Sequence, residues 1–188
     1  MGRIGRRTED RSDGRPVILT APTLTVWFYD STLGAAAGEV RLKDLKERNA
    51  LQVHDAVTVT WMPGSHRPRI GHLRHETSAG ATRSSVLGGL VSLIILEPAD
   101  ETGHASMVAL AQRLLGIGID LTFLESIKAQ LVPETSALLV LSGHADLDEV
   151  RPVIERGLAR GDVALMHAQL PHGGLEILRE AVRGLQKP

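Results

Sequence analysis

Residues 136–141 read SALLVL, a continuous apolar run of strand length, which is the pattern of a strand covered on both faces in the middle of a sheet. The residues after it extend the unit. Asp146 and Glu149 stand at capping-box spacing ahead of Val150, Val153, Ile154 and Leu158, so a helix is expected there, ended by Gly161. Pro152 removes a backbone donor near its start, and the regular part is expected to begin late. VALMHA at 163–168 is a further strand, and Leu175, Leu178 and Val182 lie on one side of a terminal helix over 175–185.

The same grammar occurs upstream. LTVWFY at 24–29 is rich in strand formers, and Asp30, Ser31 and Thr32 follow as groups able to satisfy the first free amides of a helix. Over 33–48, Leu33, Ala36, Ala37, Val40 and Leu45 recur at three- and four-residue steps and define the expected buried face, with Asn49 as the stop. Residues 53–61 then alternate, placing Val53, Val57, Val59 and Trp61 on one side and Ala56, Thr58 and Thr60 on the other. Two strand–helix–strand units in one chain predict an α+β fold, a ferredoxin-like split βαβ sandwich with the first and third strands central. Two helices cover one face of such a sheet. The other face must find a partner, either a second subunit or the chain between the two units.

That chain is long. About seventy residues separate the second and third strands, far more than a connection needs. Residues 65–83 form a basic loop with His66, Arg67, Arg69, His72, Arg74, His75 and Arg83 against a single acid, Glu76. Residues 84–96, SSVLGGLVSLIIL, carry no charge; 97–104 read as a polar turn, and 105–119 are apolar except for Gln112 and Arg113. An inserted basic loop and apolar helical hairpin over 65–119 is the expectation. Asp120 should cap a further helix, stopped by Pro133. The domain organisation is then a disordered basic tail over 1–20 and a single α+β domain over 21–188.

Composition sets limits on function. Hydrophobic residues make up 43% of the 188 and charged residues 23%, enough to bury a core. A net charge of −1 gives no global field to draw in nucleic acid. The chain has no cysteine, which excludes disulfides, thiol nucleophiles and thiolate metal sites and suits a reducing compartment. The arginine-rich first residues lack the apolar segment of a secretory signal. Arginine far outnumbers lysine and Ala, Gly and Leu abound, a codon bias that points to a bacterial source.

Clusters that suggest chemistry have simpler explanations. His72, His75 and Glu76 form H-x-x-H-E, which is not the zinc-protease spacing and lacks a complete ligand set. Ser142, His144 and Asp146 crowd into SGHAD, whereas catalytic triads are assembled from distant segments; a turn with a helix cap is expected. Gly116 and Gly118 in GIGID lack the rest of a nucleotide-binding pattern. His167 alternates with small apolar residues and reads as a sheet-face side chain. Trp27, Phe28, Tyr29, Trp61 and Phe123 stand where a core or a subunit contact would want them. No catalytic, cofactor-binding or metal-binding residue is assigned.

The strand LTVWFYD at 24–30, VHDAVTVTW at 53–61, PG with a following proline over 63–68, GID at 118–120 and TSALLVL at 135–141 together resemble a bacterial and archaeal family of unknown function, numbered 1269 and often described as membrane proteins. The resemblance implies no activity and no cofactor. Such members typically carry a long glycine-rich hydrophobic hairpin, and the one here is shorter and more polar. Its uncharged run would rise about 20 Å as a helix, against a hydrocarbon core of about 30 Å. It suits packing on protein.

The functional expectation is a non-enzymatic structural or interaction protein, cytoplasmic, self-associating as a homodimer through its open sheet face or through Val86, Leu87, Leu90, Leu93 and Ile94 of the hairpin. The alternative is peripheral attachment to an anionic membrane surface, on the inner face of the plasma membrane. Arg67, Arg69, Arg74 and Arg83 would contact lipid headgroups there. Nucleic acid is not an expected partner.

Overall fold

The computed structural model describes residues 18–73, 85–96, 101–161 and 163–185. Its elements are β1 (Ile18–Leu19), β2 (Thr23–Tyr29), α1 (Gly34–Glu47), β3 (Leu51–Thr60), β4 (Arg69–His72), α2 (Val86–Val91) running into a π-helical turn (Ser92–Leu96), α3 (Glu101–Arg113), α4 (Leu121–Gln130), β5 (Ser136–Asp146), α5 (Leu147–Ala159), β6 (Val163–Gln169) and α6 (Gly174–Leu185). The fold is α+β. Its sheet is antiparallel throughout, in the order β4-β3-β5-β2-β6, with β1 paired to the far end of β5. The two strands expected at the centre, β2 and β5, are central. Ile18 and Leu19 pair with Asp146 and Ala145, so the sheet begins inside the stretch expected to be tail, and the remainder of that stretch lies outside the described residues.

Both faces are covered from within the chain. On one face Leu24, Val26, Phe28, Val57, Val59, Leu139 and Leu141 share a core with the inserted helices and α6. The partner for the second sheet face is therefore the insert. Five consecutive residues of α2, Leu87 to Val91, are buried, because the helix touches the sheet on one side and α6 on the other. A helix enclosed in this way is apolar all round, which is the physical reason a run that resembles a membrane segment occurs in a globular core. The opposite face carries Tyr29, Ala56, Leu138 and Val140 against α1, with α5 beside it.

Several local expectations are corrected. α1 buries Ala35, Gly38, Leu42 and Leu45, whereas Leu33 and Val40 are 76% and 67% exposed. A Cβ on Gly34 or Gly38 would overlap Tyr29, so the small-residue stripe is the one that can approach the sheet. Leu33 is the N-cap of α1 and its side chain makes no cap bond. The Ala35 amide instead donates to Ser136 Oγ at 2.9 Å, and that hydroxyl donates to the Ser31 carbonyl at 2.6 Å. β3 does not alternate simply. Register shifts around Val53 and Asp55 place Val53 with the α1 core, while Val57 and Val59 face the insert.

Asn49 does end α1, at φ 57°, with Ala50 N–H bonded to Leu45 C=O at 2.9 Å. β5 extends through the SGHAD segment to Asp146, which caps α5 by accepting from the Asp148 amide at 3.0 Å. α5 is regular from Leu147 with Pro152 inside it, so the late start is corrected. The polar turn expected over 97–104 is also shortened, since α3 begins at Glu101.

Candidate functional site: an apolar cavity beneath helix α5

α5 stands further off the sheet than α1 does, and the space left is a cavity of about 290 Å³. The cause is visible in the facing residues. The sheet offers Thr25, Trp27 and Leu165 on adjacent strands, because Thr25 pairs with His167 and Trp27 with Leu165 across β2 and β6. α5 offers Val150, Val153, Ile154 and Gly157 at three- and four-residue steps. Trp27, Val153, Ile154 and Leu165 are only half-buried, so these large apolar groups border open space rather than each other. Gly157 faces the indole of Trp27, and a Cβ there would stand in ordinary contact with it at 3.6 Å.

One end of the cavity is closed by a small core of Leu45, Ala50, Ala145 and Val150. Above it, Arg48, the C-cap of α1, donates to Glu149 of α5 at 2.6 Å and to Asp44 at 2.8 Å, tying the start of α5 to the end of α1. All three side chains are 45–61% exposed, so this tie orients more than it stabilises. Side chains with polar groups on the lining are few: Thr23, Thr25, Trp27, Tyr29, Ser142, His167 and the half-buried Arg41 of α1. Ser142 Oγ already donates to the Thr23 carbonyl at 3.4 Å. The site can therefore hold an apolar body, with polar contacts at its margin.

Most of the residues singled out from sequence lie elsewhere. Leu87, Leu90, Leu93 and Ile94 are buried in the core between sheet and helices, and Val86 is half-buried beside them. Arg67 is exposed, and Arg69 is exposed in β4, an edge strand within the expected basic loop; Arg74 and Arg83 lie outside the described residues. His72 is in β4 with its ring against Gly88, while His75 and Glu76 also lie outside the described residues. Among the described residues no three His, Asp or Glu side chains gather as metal ligands. Ser142 and Asp146 each bond to backbone, and no hydrogen bond joins the Ser142, His144 and Asp146 side chains. Gly116 and Gly118 are left-handed turn residues at φ 84° and 81° between α3 and α4. Of the earlier candidates, Trp27, Tyr29, Ser142 and His167 line the cavity. Arg41 was not signalled by any motif; its place beside Gly38 and Leu45 follows only from which face of α1 is buried.

His54 sits at the irregularity in β3. Burial lowers its pKa below the usual 6.5, with Arg179 lowering it further and Glu176 acting against them.

Residues 81–183, more than half of the chain, match the model of a family described as Protein of unknown function (DUF1269). The chain belongs to this family. The match takes in α2 to α6, together with β5 and β6, and stops short of the motifs at 24–30 and 53–61. The cavity thus lies between α5, β5 and β6 inside the family-wide region and α1 and β2 outside it. No curated protein and no solved structure matches the chain. Among the described residues no helix is long and apolar enough to cross a membrane.

Proposed function

We propose that this member of the DUF1269 family is a non-enzymatic binding protein that holds a small apolar molecule between its sheet and α5. We read its strand order as the ferredoxin-like split βαβ arrangement, with the insert as a second helical layer. The observation that carries the functional reading is the cavity of about 290 Å³ bordered by half-buried Trp27, Val153, Ile154 and Leu165. Its volume is near the lower end of ordinary ligand pockets. The space is partly open to solvent and lined almost wholly by apolar side chains, so it leaves apolar surface in contact with water. An apolar occupant removes that surface from water at about 25 cal/mol per Å².

Titration with octanol, read by Trp27 fluorescence in a Trp61→Phe background, tests the reading. Saturable binding is expected, and Val153→Phe, which fills the cavity from α5, abolishes it while the chain stays folded by circular dichroism. Absence of saturable binding by octanol and by a small aromatic probe such as indole overturns the proposal.

Self-association as a homodimer has separate support. The sheet face and the hairpin named for it cover one another, yet α1 presents Leu33 and Val40 at 76% and 67% exposure, in line with exposed Ala36 and Ala37. Light scattering on a size-exclusion column reads this directly. A dimeric mass that Val40→Glu reduces to monomer supports the reading, and a monomeric mass across the accessible concentration range removes it.

A further inference from the structure

The cavity's lining is not electrically neutral. Arg41 is its single permanent charge, and no carboxylate lines it among the described residues. The residue sits one turn from Gly38 and one turn from Leu45, at the border of the buried face of α1, and is half-buried as a whole. Neighbouring charges are already engaged. Lys43 pairs with Glu39 at 2.8 Å, and Arg48 takes both Asp44 and Glu149. Arg41 itself makes no ion pair or hydrogen bond among the described residues. An unpaired guanidinium beside an apolar cavity, in a protein with many acids available, is a group matched to a planar anion, which it can hold through two parallel bonds.

Resting on the cavity reading, we propose that the bound molecule is a small monocarboxylic acid, its aliphatic or aromatic body between Trp27 and α5 and its carboxylate on Arg41. The volume of about 290 Å³ is at the small end of ordinary ligand pockets and favours a small acid with a short chain. The apolar body supplies most of the affinity and the charge-assisted contact supplies selectivity for the acid.

Octanoate, octanol and octylamine share one chain and differ in the head group. Calorimetric titration of the full chain at pH 7.5 should find octanoate bound about ten-fold tighter than octanol, the usual effect of one partly exposed charged hydrogen-bonded contact, and octylamine the weakest. Arg41→Met should bring octanoate to the level of octanol and leave octanol unchanged, whereas Arg41→Lys should retain part of the preference. Equal affinities for octanoate and octanol in the unaltered chain overturn the acid assignment while leaving the cavity reading intact. Failure of all three to bind removes the cavity reading itself. Flotation with vesicles of dioleoyl phosphatidylglycerol that Arg41→Met abolishes, in a chain that does not bind octanoate, would also overturn the proposal by making the anion a lipid headgroup.

Discussion

Asp55 Oδ2 accepts the backbone amide hydrogen of Leu87 at 2.9 Å, across 32 positions of sequence. The same carboxylate receives Ser85 Oγ at 3.0 and 3.1 Å, and Ser85 Oγ in turn accepts from the Gly88 amide at 2.9 Å. A register irregularity in β3 turns Asp55 toward the insert, so the bulge anchors the start of α2 to the sheet. Asp55→Ala leaves two inward-facing donors without an acceptor. It should lower unfolding free energy by about 2–3 kcal/mol in urea denaturation, and Asp55→Asn by less because one acceptor oxygen remains.

Ser136 is fully buried and joins the start of α1 to β5 through its bonds to Ala35 and Ser31. Ser136→Ala orphans an amide and a carbonyl together. A loss of about 2 kcal/mol is expected, with faster amide exchange confined to the first turn of α1.

Alanine is a better helix former than glycine by about 1 kcal/mol, so Gly38→Ala would ordinarily stabilise α1. Here the added methyl meets the Tyr29 hydroxyl and stands 3.1 Å from Leu138 Cδ2. A net destabilisation of about 1–2 kcal/mol is expected from overpacking. Ala36→Gly on the exposed face should lose about 1 kcal/mol by propensity alone, and chemical denaturation of the two variants separates the mechanisms.

Glu134 holds φ 71° in the connection into β5, where its amide donates to the Trp61 carbonyl at 2.9 Å. A left-handed residue with a side chain is strained by about 1–2 kcal/mol, and glycine relieves it at some cost in unfolded-chain entropy. Glu134→Gly should raise stability by about 0.5–1 kcal/mol in a thermal melt.

His54 stays neutral in the fold at a pH where the unfolded chain takes up a proton, because its folded pKa lies below the usual 6.5. Unfolding therefore binds a proton as pH falls through 6.5, and stability should decline over that window and level off below the folded pKa. Above the window both states are neutral and the effect vanishes. His54→Gln should remove this part of the pH slope in urea titrations, and an unchanged slope would assign it to other groups.

The central strands were legible because SALLVL and LTVWFY are apolar without interruption, which requires cover on both faces whatever provides it. The end of α1 at Asn49 and the cap of α4 at Asp120, whose Oδ1 accepts from the Phe123 amide at 2.8 Å, were legible because caps are local. The buried face of α1 was not. Leu33 and Val40 fall on a helical stripe as well as Ala35, Gly38 and Leu42 do, and periodicity ranks the larger residues first. Only the presence of Tyr29 beneath the helix makes the small stripe the one that fits.

Local periodicity and punctuation by themselves determined the α+β class and the two strand–helix–strand units, and the unbroken apolar runs marked the two central strands, whereas the edge strands β1 and β4 were read as tail and loop. They also indicated that the second sheet face needed a partner. Tertiary structure alone decided that the partner is the insert, that Asp55 turns toward it, and that α5 stands off the sheet with Arg41 at the margin of the space beneath. Those outcomes depend on the fit of side chains from segments far apart in sequence, which spacing along a single segment does not encode.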